Sequence, residues 1–551
     1  MDDHDGEITE SVAGRDLRPS LRWTDWRFLL PSPVGGSFEH LVVVGGPAGL
    51  AERVVEAGWA RRVSCAIPKG RSADAVVILR DAGVTLGDAV HSLRAGGALY
   101  YEVDRRVAAS RSVSPRAMQR ALLRAGMCPT GSYWAAPNFD DRLMYLPLGA
   151  PEVFRWYLAS KFVASTPERR LLEPGLRLLA RFRSDAVDLF ARQFAVTGVV
   201  PSGARPLPSL LGHPVLPPEL RHSPLRPLVL TPGGDELNRV ILLPFLPGAS
   251  RPALVLKLSR LPERNLHTEN EQRVLVAVRA LLDEAMRRTV PRPIGVFEWN
   301  GLAVSAESAV PGRLLLSSTG RWGAPLRWKI DDLQTAVSWL IEFHRQAQVR
   351  RSPWGETELS RWVEKPLAAY GKAFGVTPNE TALFAAVRDR ARSLVGASLP
   401  IVWEHYALQD QNMSRDRSDI YVVDWEGGGE GMPLFDLFYY AMDWANTVIR
   451  LRDEGGRHRC FRALFCEPDP ADPHALAIQR AVSRYAVALD IDGRFVPLLL
   501  VLMWIVRSLS RSDRQAALGA VGGGRSRNQG IAYVSLLAAH RDQIFARQWA
   551  P

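Results

Sequence analysis

Cysteine is scarce: four occur in 551 residues, Cys65, Cys128, Cys460 and Cys466, and none forms a Cys-x-x-Cys. Neither a secreted disulfide framework nor a cysteine-rich zinc site is expected, and a reducing compartment fits better. Long apolar runs are also lacking. The longest, Phe495 to Val506, has twelve residues and contains Pro497, whereas a membrane span needs about 20. It reads as a buried core helix, and no membrane partner is expected. The N-terminus lacks the basic and apolar stretches of a signal peptide. It is acidic instead, with Asp2, Asp3, Asp5, Glu7 and Glu10, so a cytoplasmic protein is expected. No internal repeat is visible, and the one notable low-complexity feature is Gly522-Gly523-Gly524.

What is present is globular in character. The chain is 47% hydrophobic and 23% charged, which excludes wholesale disorder and a collagen-like fibre. Single cores stop growing near ~250–300 residues, so two or three domains are expected. Lys plus Arg is 69 against 58 acids, a net charge of +11. That excess favours anionic partners such as nucleotides; no nucleic-acid partner is expected.

Composition and hydrophobic pattern divide the chain into segments. Residues 1–35 read as a polar tail ending in the aromatic patch Trp23, Trp26 and Phe28. In 36–160, the apolar run Leu41–Val44, a glycine turn and a helical stretch open an α/β unit. Residues 161–227 read as a helical segment and a proline-rich linker, since prolines such as Pro214, Pro217 and Pro218 suit neither helices nor central strands. Residues 228–310 are strand-rich and 311–551 mostly helical, together resembling a two-lobed unit.

Four features between 231 and 436 carry chemistry. Gly233 and Gly234 lie in a turn before the strand-like Val240–Leu243, where backbone N–H groups can approach a phosphate, although most such turns are only turns. Lys257 stands inside the apolar stretch Ala253–Leu258; it is costly to bury without a partner, unless it lies at an edge and reaches water. Glu271 shares the helical face of Val274, Leu275 and Val278. An acid on a core-facing stripe needs a cation, and Lys257 is the nearest candidate. Finally, Asn412 closes a loop after His405, and Asp424 ends an apolar strand twelve residues later. An amide oxygen and a carboxylate are suitable hard ligands for Mg²⁺.

Residues 228–445 resemble the aminoglycoside phosphotransferase and choline-kinase-like family. The resemblance rests on His405 and Asn412, on Val423-Asp424-Trp425-Glu426, on Pro433-Leu434-Phe435-Asp436-Leu437 and on Pro311-Gly312-Arg313. It implies a bilobal α+β protein-kinase-like fold, ATP and Mg²⁺ as cofactors, and a small-molecule or peptide hydroxyl as acceptor. By the same resemblance Lys257 would hold the phosphates, Glu271 would fix Lys257, Asn412 and Asp424 would bind the metal, and Asp436 would brace the loop. One departure matters most. Where the family carries its catalytic Asp, two residues after His405, this chain has Ala407. Asp410 is the candidate substitute base, with His405 the other candidate catalytic residue; without a base the domain would be a nucleotide-binding pseudokinase with a regulatory or scaffolding role. The helix ending in Glu342-Phe343-His344 matches the family's helix before this loop, with His344 expected in the core.

The motifs around Gly45-Gly46 and Gly96-Gly97 resemble class I S-adenosylmethionine methyltransferases. The second strand, Val63–Ile67, ends without the acid that would hold a ribose. The expectation for 36–160 is therefore a truncated, cofactor-free methyltransferase-like sheet that docks a protein partner, with S-adenosylmethionine unlikely.

Overall fold

A computed structural model describes residues 20–549 except 32–35, 81, 108–112, 183–187, 189, 203–209, 222, 234–236, 452, 518–528 and 548. Gly234 and the Gly522–Gly524 run lie outside the described residues, as does most of the expected N-terminal tail.

Among the described residues, twelve strands form one sheet that runs through both the α/β unit and the strand-rich region 228–310. From one edge the order is Pro293–Trp299, Leu302–Glu307, Val255–Leu258, Val240–Phe245, Arg226–Leu230, Met144–Pro147, Cys128–Ala136, Gln193–Val199, Leu93–Asp104, Ala73–Ile78, Leu41–Val44 and Val63–Ser64. Parallel pairing is confined to the last four, beginning with Leu93–Asp104 against Ala73–Ile78. Such strands are buried on both faces and read as continuous apolar runs; Val42, Val76 and Leu99 are fully buried. All other neighbours are antiparallel.

Two expectations are corrected here. Residues 161–227 are not only helix and linker: Gln193–Val199 is a central strand, hydrogen-bonded to Leu93–Asp104 on one side and Cys128–Ala136 on the other. Its Phe194-Ala195-Val196-Thr197 core is buried, and the neighbouring prolines fall outside it. Nor is 20–35 a polar tail throughout. Leu21–Leu29 is a 3₁₀ helix with Leu21, Trp26, Phe28 and Leu29 in the core. Its buried Asp25 pairs with Arg260 at 2.7 Å, and Arg27 donates to the Arg260 carbonyl at 2.6 Å.

The helix Asn265–Leu281 packs beside the strand Leu302–Glu307 with Val274, Leu275 and Val278 inward. The C-terminal part is helical. Leu326–Gln346, Phe435–Ile449 and Phe495–Ala517 surround one apolar core, with two small three-stranded sheets carrying the loops between them. The run beginning at Phe495 is a core helix: Leu498 to Leu502 are fully buried. By length and composition Phe495–Asp513 would also suit a membrane span; in the fold its apolar side faces the other helices.

Candidate active site

Strand pairing brings the charged cluster together. Lys257 opposes Ile241 on one side and Ser305 on the other. Glu307 opposes Val255 and so stands diagonally from Lys257 on the same face of the sheet. The ammonium, 3% exposed, contacts Glu271 Oε1 directly, Glu307 Oε1 at 3.0 Å and Asp424 Oδ1 at 4.0 Å. The expected Lys257–Glu271 pair is therefore formed, and Asp424 joins it. Burial alone would push the Lys257 ammonium down, but Glu271 and Glu307 outweigh it and hold it above its ordinary value. Burial acts to raise Glu271, yet Arg239 and Lys257 pull it down to about 2. Glu307 goes the other way: burial outweighs Lys257, Glu271 adds repulsion, and the carboxyl rises to about 7.

Arg239 and Glu307 are the site residues that sequence reasoning missed. Arg239 directly precedes the strand Val240–Phe245 and forks between Glu271 Oε2 and Asp424 Oδ1, both at 2.5 Å, and reaches Glu426 Oε2 at 3.1 Å. Glu307, the acid ending Leu302–Glu307, was the available signal on the next strand. An arginine at a strand's mouth carries no such signal.

The loop after the strand Ser398–Glu404 is fixed from below. Asp436, at the start of Phe435–Ile449, accepts from the backbone N–H groups of His405 and Tyr406, at 2.5 and 2.8 Å. It braces the loop as expected. Its own N–H donates to Glu404 Oε2 at 2.7 Å. His405 is not placed for catalysis: Nε2 donates to the Val423 carbonyl at 3.0 Å and Nδ1 accepts from Ala407 N–H at 3.2 Å. Both ring nitrogens are spent tying the loop to the strand before Asp424, and the ring stands edge-on to buried Trp425. Tyr406 adopts φ +62°, a left-handed conformation that favours glycine. Its N–H bond to Asp436 and its hydroxyl's bond to the Glu430 carbonyl at 2.8 Å hold it there. His344, as expected, is a core residue, with Nδ1 2.5 Å from the Tyr485 hydroxyl.

Asp410 is a correction. It is fully buried, accepts from the Thr319 hydroxyl at 2.6 Å and donates its N–H to Asp443 at 3.2 Å. Burial and the charge of Asp443 push its carboxyl up to about 8. The loop turns it away from the cleft, so it does not replace the missing base. The cleft itself holds a cavity of about 990 Å³, walled by Ala407, Asp424, Glu426, Tyr439, Arg507 and Arg511 among others; neither Asp410 nor Asn412 lines it. Arg507 is pinned there by the Tyr406 carbonyl at 3.2 Å and the Tyr439 hydroxyl at 2.5 Å.

The metal expectation was tested on the same geometry. The oxygen donors are of the right kind. Asp424 Oδ1 carries a guanidinium N–H, so an ion there competes with Arg239, whereas Asn412 bonds the Ala407 carbonyl at 2.9 Å through its amide nitrogen and not through the oxygen that would hold an ion. Gly233 has its own contacts. At φ +62° its missing Cβ would collide with the Asn238 side chain, and its carbonyl accepts from Arg22 at 3.0 Å.

The family model described as Phosphotransferase enzyme family matches residues 232–474. The match covers less than half of the chain, and within it the sequence is similar to that family. The matched segment contains Lys257, Glu271, Ala407, Asn412 and Asp424. Among solved structures, the chain is similar to an amicoumacin kinase in complex with AMP-PNP, Ca²⁺ and Ami. The identity is 11% and the TM-score 0.35, over 61% of this chain and 92% of that one. It is similar to a thermostable mutant of the aminoglycoside phosphotransferase APH(4)-Ia, in ternary complex with ADP and hygromycin B (13%, 0.33, 57% and 94%). A choline kinase from Cryptosporidium parvum Iowa II is a third (11%, 0.32, 58% and 90%). Comparison with curated proteins finds no match.

Proposed function

We propose that the phosphotransferase domain binds ATP and transfers its γ-phosphoryl group, slowly, to a hydroxyl of a small molecule held in the cleft cavity. The observation that carries this reading is the buried Lys257–Glu271 pair next to Asp424, which lines a cavity of about 990 Å³. That volume suits a small-molecule ligand. In this reading Lys257 holds nucleotide phosphates, Glu271 holds Lys257, and the loop braced by Asp436 presents the acceptor side of the cleft. Neither Ala407, a methyl group, nor Asp410, which faces Thr319, takes the acceptor proton. A general base contributes about 10²–10⁴-fold. Transfer through a loose transition state depends mostly on positioning and electrostatics, so its loss slows the reaction without abolishing it.

The second reading, a nucleotide-binding regulator without turnover, is favoured by the same methyl group. Replacing Ala407 with Asp separates the two. For a slow enzyme, ATP consumption at substrate-screen concentrations rises by about 10²-fold in Ala407→Asp, and Lys257→Met removes it in both backgrounds. No turnover in wild type or Ala407→Asp, with ATP still stabilising the fold in a thermal shift, selects the regulator. No stabilisation by ATP in either removes both.

For 36–160 we propose a docking role without S-adenosylmethionine. Gly45 and Gly46 are required by the protein's own packing: a Cβ on Gly45 would run into the Leu79 carbonyl, and one on Gly46 would stand 2.8 Å from Leu50. Calorimetric binding of S-adenosylmethionine to the full chain would overturn that.

A further inference from the structure

We infer that Arg239 bonds Asp424 as a built-in cation, so that a divalent ion at this carboxylate binds in competition with the guanidinium. The inference deepens the nucleotide-site reading above and rests on it.

Arg239 is almost enclosed, with its side chain 8% exposed, and all three of its ionic contacts are to carboxylates. Nη1 bonds Glu271, whereas Nη2 is shared by Asp424 Oδ1 at 2.5 Å and Glu426 Oε2 at 3.1 Å. A fixed planar fork satisfies two separated carboxylates at once, which a lysine ammonium does not do as well. The group thus bridges two acids from the segment after Val422, much as a bound cation would. A small divalent ion needs oxygen ligands at about 2.0–2.1 Å and keeps several waters. An ion approaching Asp424 meets a guanidinium whose Nη2 is 2.5 Å from Oδ1 and which already neutralises part of the carboxylate's charge, and the two cations repel. Binding of the two is therefore competitive. The groups facing Arg239 from neighbouring elements are Lys257 on its strand, Glu271 on the helix Asn265–Leu281, and Asp424 and Glu426 on the loop. The carboxylates raise the guanidinium's proton affinity against the effect of burial, so it stays a cation throughout.

The contact also spans the cleft. Arg239 belongs to the sheet side, and Asp424 and Glu426 to the helical side. Asn270 donates to the Glu426 carbonyl at 2.6 Å, and Trp425 N–H to Glu271 at 3.1 Å, closing the same seam. Loading of an ion at Asp424 would open the Arg239 part of this seam.

The test uses Mn²⁺ alone, without nucleotide or acceptor, titrated into the full chain and read by the free-ion electron paramagnetic resonance signal. Arg239→Gln is expected to bind Mn²⁺ at least about tenfold more tightly than wild type, and Asp424→Asn in that background to lose the gain. Arg239→Lys, which retains a charge without the fork, is expected between the two and serves if Arg239→Gln does not fold. Equal affinity of wild type and the Arg239 variants overturns the inference. So does a tight site that survives Asp424→Asn. Because no phosphoryl transfer is read, failure of the phosphotransferase reading leaves this outcome distinguishable.

Discussion

The methyl group of Ala407 and the buried carboxyl of Asp410 have opposite surroundings although only two residues separate them. One faces a cavity with nothing to donate or accept; the other has a hydroxyl partner and a raised proton affinity but no route to the cleft. This fixes a pH effect with a definite sign. An ordinary Asp ionises near ~3.9 in the unfolded chain, and Asp410 near about 8 in the fold. Between these values the folded state holds a proton that the unfolded state has released, so the contribution to stability falls as pH rises through that window. Asp410→Asn keeps an acceptor for Thr319 but does not titrate. Its melting temperature is expected to fall less than that of wild type between pH 5 and 8; parallel curves would contradict the placement of Asp410. Glu307, pushed up to about 7, acts in the same direction in both proteins and cancels in the comparison. Asp443, raised to about 6, repels Asp410, and Asp410→Asn removes that repulsion, which flattens the variant's curve further. Lys257, Glu271 and Asp424 were legible as single residues because each is a charge set in an apolar pattern. Arg239 was not, since nothing local shows where a long flexible side chain at a strand's mouth will reach.

Short elements are anchored by a few buried charges. The 3₁₀ helix Leu21–Leu29 reaches a turn of the strand-rich region 228–310 through Asp25 and Arg260, both fully buried, while Arg260 also donates to the Asn238 carbonyl at 2.9 Å. The turn containing Gly233 is thereby held from two sides, by Arg22 and by Arg260. Removing one member of a buried pair strands the other and costs about 3–5 kcal/mol. Asp25→Ala is expected to destabilise the fold by that order in urea unfolding, with ATP binding weakened along with it. A loss under 1 kcal/mol would show that the pair is not a brace. The aromatic patch in this element was visible in the sequence. Its burial was not, because the polar residues around it gave the stretch the look of a tail, and a 3₁₀ turn has no clear apolar period. The helix Asn265–Leu281, by contrast, followed its 3.6-residue pattern, with Glu271 on the predicted inner face.

Across the molecule, the decisive feature is sheet continuity. Met144–Pro147 pairs with Arg226–Leu230, which pairs in turn with Val240–Phe245, so the α/β unit and the strand-rich region 228–310 share one hydrogen-bonded ladder. Separating them exposes a sheet edge and strips the buried faces of Leu228 and Val229. A fragment beginning at residue 228 is expected to be insoluble or protease-sensitive, and scanning calorimetry of the full chain to show no independent transition for 36–160. A soluble fragment of native-like stability would argue for separable units.

The sequence by itself determined the elements with a strong period and the charges that such periods force inward: the parallel-strand runs, the Glu271 helix, the core helix from Phe495, and the loop from His405 to Asn412. The resemblance to the phosphotransferase family followed from the spacing of His405, Asn412, Asp424 and Asp436. Tertiary structure alone decided which charges meet. Asp410 turned inward, His405 became a tie, Gln193–Val199 entered the sheet, and Arg239 closed on Asp424. Periodicity reports which face of an element is buried; the partner on the other side of that face comes from a distant part of the chain, and its identity depends on distances that local spacing does not contain.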